Sequence, residues 1–132
     1  MKTLTLTQDH LQQMVAHVNG LAPQEACGLL AGRGNIAQRI FFISNEAQSP
    51  TRYQMNPIEQ LRAFEWIDDH QLELLAIFHS HPQGPQTVSP TDIAQAAYRV
   101  VYIVLSPVNE SWGARGFWIE NETYREVKLN IV

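Results

Sequence analysis

Phe78-His79-Ser80-His81-Pro82-Gln83-Gly84-Pro85-Gln86-Thr87-Val88-Ser89-Pro90-Thr91-Asp92-Ile93 is the stretch on which the reading of the chain turns. An apolar run, Leu74 to Phe78, leads into it, and a second, Val100 to Leu105, follows it. Both runs are continuous rather than alternating, the pattern of central strands covered on both faces. In extended chain, residues i and i+2 share a side, so His79 and His81 aim at one point while Ser80 faces away. Pro82 lacks an amide donor and stops strand pairing. Gln83-Gly84-Pro85 turns the chain. Ser89-Pro90-Thr91-Asp92 then opens a helix, with a capping box and Pro at the first helical position.

Two imidazoles and one carboxylate make a three-ligand site for a borderline metal, for which zinc is the usual choice. Asp92 is the natural third ligand, in a first helical turn where the dipole also favours an anion. Three protein ligands leave a fourth position for water, whose pKa zinc lowers to about 7. Such a site needs a proton carrier that is not itself a ligand. Glu25, entering the small apolar stretch Ala26 to Gly32, would be partly desolvated, which raises a carboxyl pKa. Spacing alone does not choose it over Glu46 or Glu73.

Outward from this centre, Thr3 to Leu6 alternates as a short half-buried strand. Thr7 caps a helix with Leu11, Met14, Val15 and Val18 on one face and Gly20 at its stop. Cys27 to Ala31 and Ile36 to Ile43 read as a hairpin around Gly32-Arg33-Gly34-Asn35. After a polar loop, Ser44 to Met55, Asn56-Pro57-Ile58-Glu59 starts a helix whose apolar face is Ile58, Leu61, Phe64 and Ile67. Gly116 to Glu120 and Glu126 to Val132 read as further strands. The order predicts an α/β layered domain with a mixed sheet. Ligands in such sheets sit beyond the carboxyl ends of strands, where the two histidines emerge.

The 132 residues suit a single domain with its own core. A net charge of -4 without a basic cluster argues against nucleic acid as a partner. One cysteine, Cys27, excludes a disulfide framework and a multi-cysteine zinc site. With neither a signal peptide nor an apolar run long enough for a bilayer, a cytoplasmic protein is expected, with no membrane partner.

Glu25 with Cys27-Gly28, then His79-Ser80-His81-Pro82, Ser89 and Asp92, resembles the JAMM motif of the JAB1/MPN/Mov34 metalloprotease family. Tyr53-Gln54-Met55 and Tyr102 to Ser106 extend the resemblance over nearly the whole chain, residues 1–132 as one JAB1/MPN domain. It implies a curved mixed β-sheet flanked by helices, similar to cytidine deaminases. It implies Zn2+ on His79, His81 and Asp92, with Glu25 as general base and then acid. Ser89 would hydrogen-bond the tetrahedral oxyanion. The reaction would be hydrolysis of an amide or isopeptide bond after the C-terminal glycine of a ubiquitin-like or ThiS/MoaD-type sulfur-carrier protein. The tail of that partner could bind as an added strand, with the Ser44 to Met55 loop as a wall.

The competing functions are weaker. A non-catalytic scaffold of the same family would bind a ubiquitin-like partner, but such members usually lack metal ligands that are all present here. A base deaminase needs a cysteine pair. A two-metal phosphatase needs more carboxylates and histidines than gather near His79. The residues outside the constellation take bland roles. Cys27 is a small core residue, Ser80 makes local hydrogen bonds, and His10, His17 and His70 lie on helix surfaces. Trp66, Trp112 and Trp118 pack in the core or at its rim.

Overall fold

Seven strands and three helices follow one another as β1 (Thr3–Leu6), α1 (Gln8–Leu21), β2 (Cys27–Arg33), β3 (Ile36–Ile43), α2 (Pro57–Asp69), β4 (Glu73–Ser80), α3 (Pro90–Gln95), β5 (Val101–Val108), β6 (Ser111–Glu120) and β7 (Thr123–Ile131). The computed structural model describes residues 1–132. The strands lie in the order β1-β3-β2-β4-β5-β6-β7. β4 and β5 run parallel, while β2 is antiparallel to both β3 and β4. The sheet is therefore mixed and flanked by helices, as expected, and it curves far enough to close. β1 pairs in parallel with β7 from Thr3–Lys128 to Leu6–Ile131, and meets β3 at Thr5–Ile36.

Strand alternation divides the core between two faces. Ala76 and Phe78 of β4 join Leu4, Leu6, Met14 and Val18 on the α1 side. Ile77 joins Cys27, Leu29, Tyr102, Val104 and the α2 residue Ala63 on the other. His79, two residues on from Ile77, thus emerges on the α2 side. The apolar runs that lead to the site, Leu75 to Phe78 and Val101 to Leu105, are buried throughout. β2 lies so close to its neighbours that a Cβ on Gly28 would run into the Phe41 carbonyl and the Phe78 ring.

α1 has the expected Thr7 cap, completed by the His10 ring accepting from the Thr7 N–H, and it runs through Gly20 to Leu21. α2 has the expected Asn56 cap with Pro57 in the first turn. Half of its expected apolar face holds, with Ile67 buried and Phe64 packed against the core, but Ile58 and Leu61 stand 60% and 56% exposed and Ala63 turns inward instead. The Glu59 carboxylate accepts from the Ser44 N–H at 2.9 Å instead of closing a capping box, tying the first turn to the loop. β5 and β6 are longer than the apolar pattern suggests. They meet in a tight turn at Asn109, with φ 56°, which asparagine tolerates. No helix is long and apolar enough to cross a membrane.

Candidate metal centre

β4 delivers the two histidines. Their Nε2 atoms lie 3.0 Å apart. Asp92 comes from the first turn of α3, aimed by a reciprocal cap: Ser89 Oγ accepts from the Asp92 N–H at 3.0 Å, and Asp92 Oδ2 accepts from the Ser89 N–H at 2.8 Å. Asp92 Oδ1 lies 3.1 Å from His79 Nε2, and Oδ2 lies 3.1 Å from His81 Nε2. One donor atom from each of the three residues falls within 4.8 Å of the others.

The donor set fits a cation. His81 Nδ1 lies 2.9 Å from the Pro85 carbonyl, so that nitrogen donates and in the neutral ring Nε2 presents a lone pair. That lone pair faces His79 Nε2 and a carboxylate oxygen at contact distance. Three acceptors gathered so tightly repel one another unless a proton or a metal ion sits among them. Burial pushes the Asp92 carboxyl up, but hydrogen bonding with both histidines and the Ser89 N–H outweighs it and holds the group well below the usual carboxylate range. Burial lowers His79 despite the Asp92 charge. His81 is raised: burial opposes ionisation there, and the bonds to Asp92 and Pro85 overcome it.

Glu25 stands just before β2. Cys27 pairs with His79 in the β2–β4 ladder, so two further residues of register set Glu25 opposite His81. It is 3% exposed. Its Oε1 is buried without a hydrogen-bond partner. Burial raises its pKa from 4.5 to about 7, against the pull of the His81 cation and with help from the Asp92 anion. Ser80, between the two histidines, makes long-range bonds rather than the expected local ones. Its Oγ accepts from the Ala26 N–H at 2.8 Å and its N–H donates to the Ala26 carbonyl at 3.0 Å. This stitch locks the residue after Glu25 to the strand that carries the histidines. Ser89, half-buried, spends an oxygen lone pair on the cap and keeps its hydroxyl proton free to donate.

Several contributors escape sequence reasoning. The Tyr53 ring stacks on His79 at 4.7 Å and 27°. Beyond Tyr53 a groove of about 350 Å³ runs between Met55, Pro57 and Tyr98. His17 is half-buried rather than on the surface, against Phe42 at 4.5 Å, with Nε2 unpartnered. His70 stays exposed, stacked on Trp66 at 3.7 Å. A tyrosine in a polar loop gives no signal that it will cover a histidine from a strand 20-odd residues later.

The chain matches the family described as prokaryotic homologs of the JAB domain over residues 7–119. It is 41% identical over 95 residues to a probable TtuB-protein conjugate cleaving protease of Thermus thermophilus, a match spanning 71% of this chain and 64% of that protein. It is 32% identical over 131 residues to a desampylase of Pyrococcus furiosus, covering 98% of this chain and 90% of the relative. It is 33% identical over 133 residues to a CysO-cysteine peptidase of Mycobacterium tuberculosis, covering 98% and 91%. The fold is that of AF2198, a JAB1/MPN domain protein from Archaeoglobus fulgidus, with TM-score 0.61, 18% identity and full coverage of both chains. On the length of the family match and the identity to these relatives, the chain belongs to the prokaryotic JAB family.

Proposed function

We propose that residues 1–132 form one zinc metallopeptidase domain, acting in the cytoplasm. Its reaction is hydrolysis of the amide or isopeptide bond after the C-terminal glycine of a ubiquitin-like or ThiS/MoaD-type sulfur carrier. The carrying observation is the convergence of His79, His81 and Asp92 within 4.8 Å, with Glu25 almost fully buried beside them. The names of the relatives, conjugate-cleaving protease, desampylase and CysO-cysteine peptidase, support the substrate class.

His79, His81 and Asp92 would hold the zinc, which when bound would supply a Lewis acid and a water acidified toward neutral pH. Glu25 takes a proton from the attacking water and returns it to the leaving amine. A carboxyl pKa about 7 suits a group that must do both. The Ser89 hydroxyl donates to the tetrahedral oxyanion, since its cap uses only a lone pair. The Pro85 carbonyl keeps His81 in the tautomer whose Nε2 can ligate. The groove beside Tyr53 takes the extended tail, in which glycine allows close passage of the backbone. Ile58 and Leu61, exposed on α2 next to the groove-lining Pro57 and Gln60, offer the carrier's body an apolar landing.

Mass spectrometry of a sulfur carrier extended through its terminal glycine tests this. Release of the extension by the zinc-loaded protein, blocked by a chelator, is the expected result. Binding without release, with or without zinc, would make the protein a scaffold instead.

A further inference from the structure

We propose that Asn45 is a positioning residue, one amide side chain that holds Glu25 and the Tyr53 ring in fixed relation across the metal centre. The inference rests on Glu25 being the general base. Asn45 uses every hydrogen-bonding position an amide has. Its Nδ2 donates to the Glu25 carbonyl at 3.0 Å and to the Arg52 carbonyl at 3.2 Å. Its Oδ1 accepts from the Ala47 N–H at 3.0 Å and from the Gln54 N–H at 2.9 Å. Arg52 and Gln54 are the two neighbours of Tyr53, which covers His79. The Glu25 N–H donates to the Ser49 carbonyl at 2.8 Å, so both backbone polar groups of the base residue are taken up by this loop.

Within the protein itself no group holds the tip of Glu25, since Oε1 has no hydrogen-bond partner there. The position of its carboxylate is therefore set through its backbone, by Asn45 and Ser49 on one side and by the Ser80–Ala26 stitch on the other. A base displaced by 1 Å can lose rate on the order of 100-fold. The loop that walls the groove and the base that moves the proton thus form one hydrogen-bonded unit with Asn45 at its hub.

Two substitutions separate this role from simple loop folding. Asn45→Asp keeps an oxygen for the Ala47 and Gln54 amides and replaces the donor facing Glu25 and Arg52 with a second oxygen. Asn45→Ala removes all four bonds. The probe is a ThiS-type carrier whose terminal glycine bears an aminocoumarin amide, cleaved by zinc-loaded protein from pH 6 to 9. Zinc content, and amide hydrogen exchange resolved by NMR, are measured in parallel.

For Asn45→Asp the expected result is about one zinc per chain and kcat lowered on the order of 10-fold to 100-fold over the whole pH range. Exchange should quicken at Glu25 and stay slow at Ala47 and Gln54. A shift confined to the acid limb would show only the added charge and would overturn the proposal. So would wild-type turnover in Asn45→Asp alongside a loosened loop in Asn45→Ala, the mark of a residue that folds the loop and nothing more. Should the wild-type protein leave the probe intact, the carrier assignment falls, and slow exchange of the Asn45 side-chain amide in wild type, with quickened exchange at Glu25 in Asn45→Asp, decides whether the clamp exists.

Discussion

Replacing Glu25 by glutamine should make the metal-free protein more stable at pH 8 while abolishing turnover. Burial lifts the Glu25 carboxyl from 4.5 to about 7, with His81 opposing and Asp92 adding. In the unfolded chain the group returns to its ordinary range, so the folded protein binds the proton more tightly. Stability therefore falls as pH rises from about 4.5 to about 7, and the loss is complete above that. At about 1.4 kcal/mol per pH unit, the gap amounts to about 3 kcal/mol. Glutamine carries no charge to bury and suffers no such loss. The two proteins should differ little near pH 4.5 and by up to about 3 kcal/mol at pH 8. Histidines titrate in the same window, and His81 is coupled to Glu25, so the difference curve reports residue 25 together with the change its charge makes in His81. Urea unfolding in the presence of a chelator, repeated across that range, measures it. A difference independent of pH, or a variant less stable than wild type at pH 8, would refute the burial argument. Zinc should shrink the difference, because a nearby cation favours the carboxylate.

Other outcomes follow from the same geometry. His79→Ala and Asp92→Ala should each lose the roughly one zinc expected per chain, read by elemental analysis, and full occupancy would mean other ligands. Ser89→Gly should keep the α3 cap within a few tenths of a kcal/mol yet lower kcat on the order of 100-fold, and unchanged turnover would remove Ser89 from the oxyanion. Gly28→Ala should cost roughly 1–3 kcal/mol in thermal or urea unfolding, because a methyl there meets the Phe41 carbonyl and the Phe78 ring. Leu61→Asp, at a position 56% exposed, should leave stability unchanged and raise KM for the carrier, with the same kcat.

The strand and helix order was legible because hydrophobic period and caps agree locally: Thr7, Asn56 and Ser89 each cap the helix that their spacing announces. The convergence of His79, His81 and Asp92 was legible because strand alternation and a helical first turn dictate direction by themselves. What depends on distant parts of the chain was not. α2 packs inward through Ala63 and Ile67 against strands far away in sequence, and apolar periodicity placed Ile58 and Leu61 on the wrong side. Ser80 finds its partner 54 residues away. Asn45 is one polar residue in a polar loop until the fold brings Glu25 to it. Closure of the sheet by β1 and β7 joins segments more than a hundred residues apart, and no local pattern carries that information.

That closure places the molecule's first and third strands at a seam. β1 shares four register pairs with β7 but one with β3, so the ring is fastened firmly on one side of β1 and lightly on the other. Transient fraying belongs at the light side, where little ladder must be broken. β3 and β2 stand between that seam and β4, which carries the histidines. The barrel can breathe at its own hem while the ladder that sets Glu25 against the two histidines stays shut.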